Sequence, residues 1–239
     1  LLGSRVVFAN GAMGAIGVEK LDSRREMPSI DKFYVDVGAT SPDDAPVKVG
    51  DAAAFVRPLI PLGTRWCAKA MDDRVGCAIL LEMLRRLKTT PHEVYAVFTT
   101  QEEIGLRGAQ TSAFGLDPDM ALAVDVTLTG DTPESATMAI ELGKGPAIKV
   151  KDSGMFAHAG VKEMLIRTAK EENIPYQLEV LSGGTTDAMA IQVTRSGIPA
   201  GVVSIPCRYV HTNSEMVDVN DVENTVRLLA AVMSKPITL

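Results

Sequence analysis

The sequence predicts an α/β fold, a mostly parallel mixed sheet flanked by helices, preceded by a small β-rich domain. Two observations support this prediction. After about residue 64, strand-like apolar runs alternate with helical patterns, which is typical of parallel α/β sheets. Before that point, short strand-like segments at close spacing indicate a small barrel or sandwich. We therefore expect a β-rich domain over residues 1–63 and an α/β domain over residues 64–239.

The first 63 residues contain several short strand patterns separated by turn signals. Asn10-Gly11 is typical of a tight turn between two strands. Ser41 followed by Pro42 predicts the start of a short helix, because proline is well suited to the first helical position. The strands are expected over residues 5–8, 14–18, 32–37 and 52–56.

Longer elements are predicted in the remainder of the chain. From Asp72 to Leu87, apolar residues recur at helical spacing and leave Glu82 and Arg85 for solvent, which predicts an amphipathic helix. Buried strands are expected over residues 93–98, 120–126, 146–150, 177–180 and 201–205. Further helices are expected to begin near residues 106, 158, 187 and 221.

Composition and charge exclude several classes of function. The chain has 239 residues, a net charge of −6 and a pI near 5.2. Binding to a nucleic-acid backbone needs clustered excess lysine and arginine, so we expect no nucleic-acid partner. No apolar run approaches the roughly 18 residues that a membrane span requires, so no membrane partner is expected. The three cysteines form no metal pair or disulfide pattern, which favours a reducing, cytoplasmic location.

Two adjacent carboxylates, Glu102 and Glu103, lie between the predicted strand 93–98 and the helix that follows it. In an open α/β sheet, ligands bind beyond the carboxyl ends of the strands, which is where these side chains fall. Consecutive strand side chains point to opposite faces, so the two glutamates should have different surroundings. One could bind a metal ion while the other transfers a proton. A solvated acidic turn is the alternative.

Asp72, Asp125 and His211 fall at other predicted strand ends or helix starts. Asp125 ends an apolar strand, where a buried carboxylate is costly unless it is paired or bound to a cation. We expect these three residues to meet Glu103 at one edge of the sheet. Carboxylates with an imidazole suit Zn²⁺, Co²⁺ or Mn²⁺, so the sequence predicts a metal centre there. A glutamate that does not bind the metal would accept a proton from the attacking water and pass it to the leaving amine, and the pair Glu102 and Glu103 can supply both roles.

Five motifs occur in one order along the chain. They are AMDDRVG at 70–76, TQEEIGLRGA at 100–109, AVDVT at 123–127, GGTTDA at 183–188 and YVHTNSE at 209–215. Together they closely resemble the tetrahedral (TET-type) metalloaminopeptidases, which include glutamyl aminopeptidases and proteins once labelled cellulase M. The resemblance covers essentially the whole chain. It implies a zinc-peptidase-like fold and an enzyme that removes N-terminal residues from short peptides.

The resemblance also implies a role for each site residue. Asp72 would bridge two divalent metal ions, and the peptide bond that follows it would be cis. Glu103 and His211 would complete one metal site with Asp72, and Asp125 would belong to the other site. Glu102 would be the general base and acid.

An oligomeric assembly is implied as well. Residues 1–63 would be a β-barrel dimerisation domain that family members insert into the peptidase domain. Such dimers would assemble into a hollow homo-oligomer of twelve subunits, a dodecamer.

One feature departs from the family pattern. Family members carry a first metal ligand in a His-x-Asp motif ahead of the β domain, and this sequence contains no His-x-Asp. The metal site of Asp72 and Asp125 is therefore one protein ligand short, and the first helix and strands of the peptidase domain are not in this sequence. We expect two metal ions in the intact protein, at most one well-made site in this chain, and weak or no turnover.

Two other functions compete with the aminopeptidase. A glycosidase would use Glu102 with Glu103 or Asp125 as a carboxylate pair and would need no metal. Adjacent strand carboxylates point apart, which disfavours it. A non-catalytic assembly or regulatory subunit of the same fold is the second alternative, because the His-x-Asp motif is missing.

Overall fold

The computed structural model describes residues 1–20, 27–135 and 137–239. The chain divides into two compact units, Leu1–Pro58 and Leu59–Leu239. The sequence placed the division near residue 63. Each unit has a sheet of its own.

The first unit is a four-stranded antiparallel sheet with the strand order β3-β2-β1-β4. Its strands are Arg5–Phe8 (β1), Met13–Val18 (β2), Phe33–Asp36 (β3) and Ala53–Phe55 (β4). All four were predicted from the sequence, with bounds that differ by at most one residue at either end. The helix expected after Ser41 is a single 3₁₀ turn, Pro42–Asp44. The four strands do not confirm a closed barrel, which stays a prediction.

The second unit contains seven strands and five helices in its described residues. The strands are Ile60–Leu62 (β5), Arg65–Ala68 (β6), Ala121–Leu128 (β7), Ala147–Lys151 (β8), Gln177–Val180 (β9), Ala200–Arg208 (β10) and Glu215–Asp218 (β11). The helices are Met71–Arg86 (α1), Arg107–Leu116 (α2), Ala159–Glu171 (α3), Asp187–Gln192 (α4) and Val219–Met233 (α5). The α/β class is therefore confirmed.

Strand β10 is the centre of the second sheet. It pairs along its length with β7, and its other edge pairs first with β8 and then with β11. The pairs β7–β10 and β8–β9 are parallel, whereas β8–β10, β10–β11, β6–β11 and β5–β6 are antiparallel. The sheet is thus mixed, without the expected excess of parallel pairs. The antiparallel strands β5, β6 and β11, which were not foreseen, account for the difference.

Helices α1 and α5 supply much of the core. Val75, Ile79 and Met83 recur at helical spacing on α1 and are buried, which confirms the predicted amphipathic face. Helix α5 buries Leu228 and Leu229 in the same cluster, together with apolar residues of β10. The start of α1 is therefore held against the centre of the sheet.

The prediction of a buried strand over residues 93–98 is wrong. The segment is extended but belongs to no strand, and none of the described strands pairs with it. Its side chains are also not buried, since Tyr95 is 51% exposed and Phe98 is 47% exposed. An apolar pattern becomes a strand only where a neighbour completes the hydrogen-bond ladder.

A cluster of three charged side chains, Lys149, Asp152 and Glu179, is almost fully buried in the second unit. The Lys149 ammonium lies 3.1 Å from Glu179 Oε1 and 3.7 Å from Asp152 Oδ2. The Thr127 hydroxyl donates to Glu179 Oε1 at 2.6 Å, and the Thr185 hydroxyl donates to Asp152 Oδ1 at 3.0 Å. The cluster therefore ties β7, β8 and β9 to the loop that precedes α4. Losing one partner of such a buried pair typically costs about 3–5 kcal/mol.

Candidate metal centre

Three of the predicted ligands meet at one place. Asp72, Glu103 and His211 each offer a ligand atom, and these atoms lie within 4.8 Å of one another. The His211 Nε2 atom is 3.3 Å from Asp72 Oδ2 and 3.3 Å from Glu103 Oε2. The structure therefore brings together side chains from three distant parts of the sequence.

The backbone at the start of α1 positions Asp72. Strand β6 ends at Ala68, and the chain then turns through Ala70, which has a left-handed backbone (φ 54°). Asp72 itself has non-helical dihedrals, and its peptide bond to Asp73 is cis, as the resemblance implies. The Asp73 Oδ1 atom accepts the Gly76 N–H at 3.1 Å and so caps the regular part of the helix. The Asp72 side chain is only 12% exposed.

Glu102 and Glu103 lie in a tight turn ahead of α2. The Glu102 carbonyl accepts hydrogen bonds from the Gly105 and Leu106 N–H groups at 3.0 and 2.9 Å. Gly105 has φ +126°, which is a conformation that only glycine adopts easily. At Gly108, a Cβ would lie 2.5–2.6 Å from the backbone of Thr100, so this close approach also requires glycine. The turn thus fixes the backbone positions of both glutamates.

His211 lies in the turn between β10 and β11. Its backbone is left-handed (φ 63°), as is that of Tyr209 (φ 60°). This conformation is costly for residues other than glycine, so it persists only where the surroundings hold it. The imidazole is 70% exposed and the Glu103 side chain is 57% exposed, so the cluster opens to solvent on one side.

Asp125 is placed differently from the prediction. It lies within β7, opposite Ser204 of β10, and the strand continues to Leu128 instead of ending at Asp125. Asp125 is not a member of the three-residue cluster. It is close enough that the charge of Asp72 raises its pKa, after the larger effect of burial. Its assignment to a second metal site remains a proposal.

Negative charge accumulates around the cluster. Burial, and then the charges of Glu103 and Glu215, raise the pKa of Asp72 to about 6. Burial, and then the charges of Asp187 and Glu103, raise the pKa of Glu102 to about 7. Several carboxylates held this close disfavour each other's ionised form. A cation would relieve that repulsion.

The donor set fits a divalent metal ion. A tetrahedral zinc ion with bonds of about 2.0–2.2 Å separates its ligand atoms by about 3.3–3.6 Å. The 3.3 Å distances from His211 Nε2 to both carboxylates meet that requirement. Imidazole nitrogens and carboxylate oxygens are both ligands of zinc in proteins.

Two further acidic residues beside the cluster were not foreseen as site residues. Glu215 accepts the backbone N–H groups of Asp72 and His211, each at 3.0 Å. Asp187 accepts the Thr99 hydroxyl at 2.7 Å and raises the pKa of Glu102. Both lie in motifs quoted above. An acidic residue at the start of an apolar strand is the signal by which Glu215 could have been noticed.

Comparisons with known proteins identify the family. The family model described as M42 glutamyl aminopeptidase matches residues 3–228. The chain belongs to this family. A protein of Acetivibrio thermocellus, named as a candidate aminopeptidase, is 48% identical over 231 residues. The match covers 95% of the present chain and 70% of that relative.

Solved structures of M42-like aminopeptidases have the same fold. An aminopeptidase from the archaeon Desulfurococcus kamchatkensis superposes with a TM-score of 0.94 at 41% identity, covering 99% of this chain and 70% of that one. The TET1 peptidase of Pyrococcus horikoshii, which can assemble into a tetrahedron or a large octahedral shell, gives 0.83 at 30% identity. That match covers 99% of this chain and 73% of the other. The resemblance to TET-type aminopeptidases is thereby confirmed.

The M42 relatives are longer than this chain, which spans about 70% of their length.

In the part of the chain that the structure describes, none of the helices combines the length and apolar character needed to cross a bilayer.

Proposed function

We propose that this chain carries the metal-dependent catalytic centre of an aminopeptidase that removes N-terminal residues from short peptides. The observation that carries the proposal is the convergence of Asp72, Glu103 and His211, with Glu102 adjacent in the same turn. Membership of the M42 family supports the reaction class.

Asp72, Glu103 and His211 are the residues that would hold the ion. A divalent metal bound there would polarise the scissile carbonyl and lower the pKa of a water molecule. Zinc, cobalt and manganese all suit carboxylate and imidazole ligands. We propose at most one well-made site in this chain and two in the intact protein, which Asp72 and Asp125 would help to hold.

Glu102 is the proposed general base and acid. Burial and the neighbouring carboxylates raise its pKa to about 7 before a metal is bound, and its carboxylate is proposed to accept a proton from the attacking water and return it. Glu102 is half-buried and follows the left-handed Gln101 (φ 61°), so the turn holds its backbone in one orientation. The proton it accepts is then donated to the amine of the departing peptide, which must leave in protonated form.

The free amino terminus of the substrate provides the test of this function. We expect the intact protein, supplied with Zn²⁺ or Co²⁺, to release the first residue of a short unblocked peptide, and this chain alone to do so weakly or not at all. The same peptide with an acetylated N-terminus should remain intact, and full chelation should stop release from the unblocked peptide. Mass spectrometry of the products measures both reactions.

Two outcomes would contradict the proposal. Equal cleavage of the acetylated peptide would indicate an endopeptidase. Hydrolysis that continues after complete metal removal, verified by elemental analysis, would favour a metal-free mechanism of the carboxylates.

We also propose that the chain forms a homo-oligomer, built from dimers through the first unit and reaching twelve subunits. The related TET1 peptidase assembles into closed shells, and the sheet of the first unit exposes apolar side chains. Tyr34 is 52% exposed, Val35 is 40% exposed and Met13 is 47% exposed. Tyr34 and Met13 lie on one face of the sheet, which a partner would cover, whereas Val35 lies on the other face. The cytoplasm remains the proposed location, on the cysteine pattern alone.

Multi-angle light scattering measures the mass of the assembly directly. We expect an even multiple of the 25.5 kDa chain, and twelve copies in the complete assembly. A mass of one chain at every concentration would refute the dimerisation role of the first unit.

A further inference from the structure

We propose that Glu215 is a positioning residue of the metal centre, whose buried carboxylate holds the backbones of Asp72 and His211 at a fixed separation. This inference rests on the proposed function, because it gives Glu215 a role only if those two residues bind a metal ion. It adds a residue that contacts neither metal nor substrate.

The geometry around Glu215 is specific. Its Oε2 atom accepts the Asp72 N–H at 3.0 Å, and its Oε1 atom accepts the His211 N–H at 3.0 Å. One rigid carboxylate group therefore links the start of α1 to the turn between β10 and β11. Glu215 itself begins β11, where it lies opposite Ala68 at the end of β6.

An acidic residue at this position, beside Asp72, is costly in the absence of a cation. Glu215 is only 2% exposed, and none of the described lysines or arginines forms an ion pair with it. Its charge also faces the carboxylate of Asp72, which is an unfavourable arrangement in the absence of a cation. Burying an unpaired charge is expensive. A metal ion beside Asp72 and His211 would offset the repulsion between the carboxylates of Glu215 and Asp72.

The backbone of His211 shows why a support is needed. The residue adopts a left-handed conformation (φ 63°) in an exposed turn. Without the hydrogen bond from its N–H to Glu215, the turn could relax and move the imidazole away from Asp72. Partners that orient metal ligands typically contribute about 10–100-fold to metal affinity.

Metal affinity of the full chain measures this role without relying on turnover. Titration calorimetry with Zn²⁺ or Co²⁺ would compare wild type with Glu215→Gln and Glu215→Asp. Glutamine can accept only one of the two N–H groups, and aspartate keeps the charge but is one methylene too short to accept both. We expect both variants to bind the metal about 10–100-fold more weakly.

Asp221 offers a matched control. It is fully buried and also accepts two backbone N–H groups, those of Gly143 and Gly145, each at 2.7 Å. It bonds neither Asp72 nor His211. Asp221→Asn should therefore lower the melting temperature as Glu215→Gln does, while metal affinity stays at the wild-type value.

The outcomes separate this inference from the proposed function. Wild type that binds no metal refutes the proposed function. Wild type that binds metal, with Glu215→Gln binding equally well, refutes the positioning role. Weak binding by Glu215→Gln but normal binding by Glu215→Asp would show that charge and not position matters, which also overturns the inference.

A measurement on the unmodified chain covers the case in which the variants fail to fold. Native-state hydrogen exchange of the metal-free protein should show slow exchange at the amides of Asp72 and His211, because a buried carboxylate accepts both. Rapid exchange at either amide overturns the inference.

Discussion

In the intact protein, Glu102→Gln is expected to reduce kcat by about 10²–10⁴-fold, the usual contribution of a general base and acid. Glutamine has nearly the same shape but cannot accept the proton of the attacking water. Metal binding should largely remain, because Glu102 is not one of the three clustered ligands. Initial rates on an aminoacyl-anilide at saturating metal, together with calorimetric metal titration, measure the two properties separately.

The neighbouring residue provides the control for this prediction. Glu103→Gln changes the same turn by the same chemistry, yet it should weaken metal binding and allow excess metal to restore part of the rate. Glu102→Gln should gain nothing from excess metal. Identical rates for Glu102→Gln and wild type would remove Glu102 from the mechanism and favour a non-catalytic subunit.

His211→Ala is expected to lower metal affinity by more than about 100-fold, beyond the 10–100-fold that loss of an outer partner costs. The imidazole is the one nitrogen ligand of the cluster, and its Nε2 atom lies 3.3 Å from both carboxylates. Because the side chain is 70% exposed, its removal leaves little cavity and should scarcely change the free energy of unfolding. The visible absorption of bound Co²⁺ reports the loss directly.

His158→Ala is the matched control for His211→Ala. His158 is also an exposed histidine, and it precedes α3 outside the three-residue cluster. This variant should keep the wild-type Co²⁺ spectrum. Equal Co²⁺ binding by His211→Ala and wild type would show that the cluster is not the metal centre.

Much of the fold could be predicted from local patterns. The apolar spacing that follows Asp72 predicted α1, and the apolar run around Val124 predicted β7. Both elements are found. The end of β7 was misjudged because Thr127 is polar, yet it is 3% exposed and donates a hydrogen bond to Glu179. A partner 52 residues away made that polar residue compatible with a buried strand.

The pairing of strands could not be predicted in the same way. The segment 93–98 has a strand pattern without a pairing partner in the described chain, whereas β11 has a weak pattern and two partners. The residue types of the site were foreseen because carboxylates and imidazole have distinctive chemistry. The function of Glu215 was not, because a sequence does not show which backbone amides a carboxylate will accept.

The link from Glu215 to Asp72 has a consequence for the order of events during synthesis. These two residues are 143 positions apart, so the link cannot form until residue 215 has been translated. At roughly 5–20 residues per second, that interval is on the order of ten seconds. The nascent chain therefore carries Asp72 without this support until Glu215 has left the ribosome.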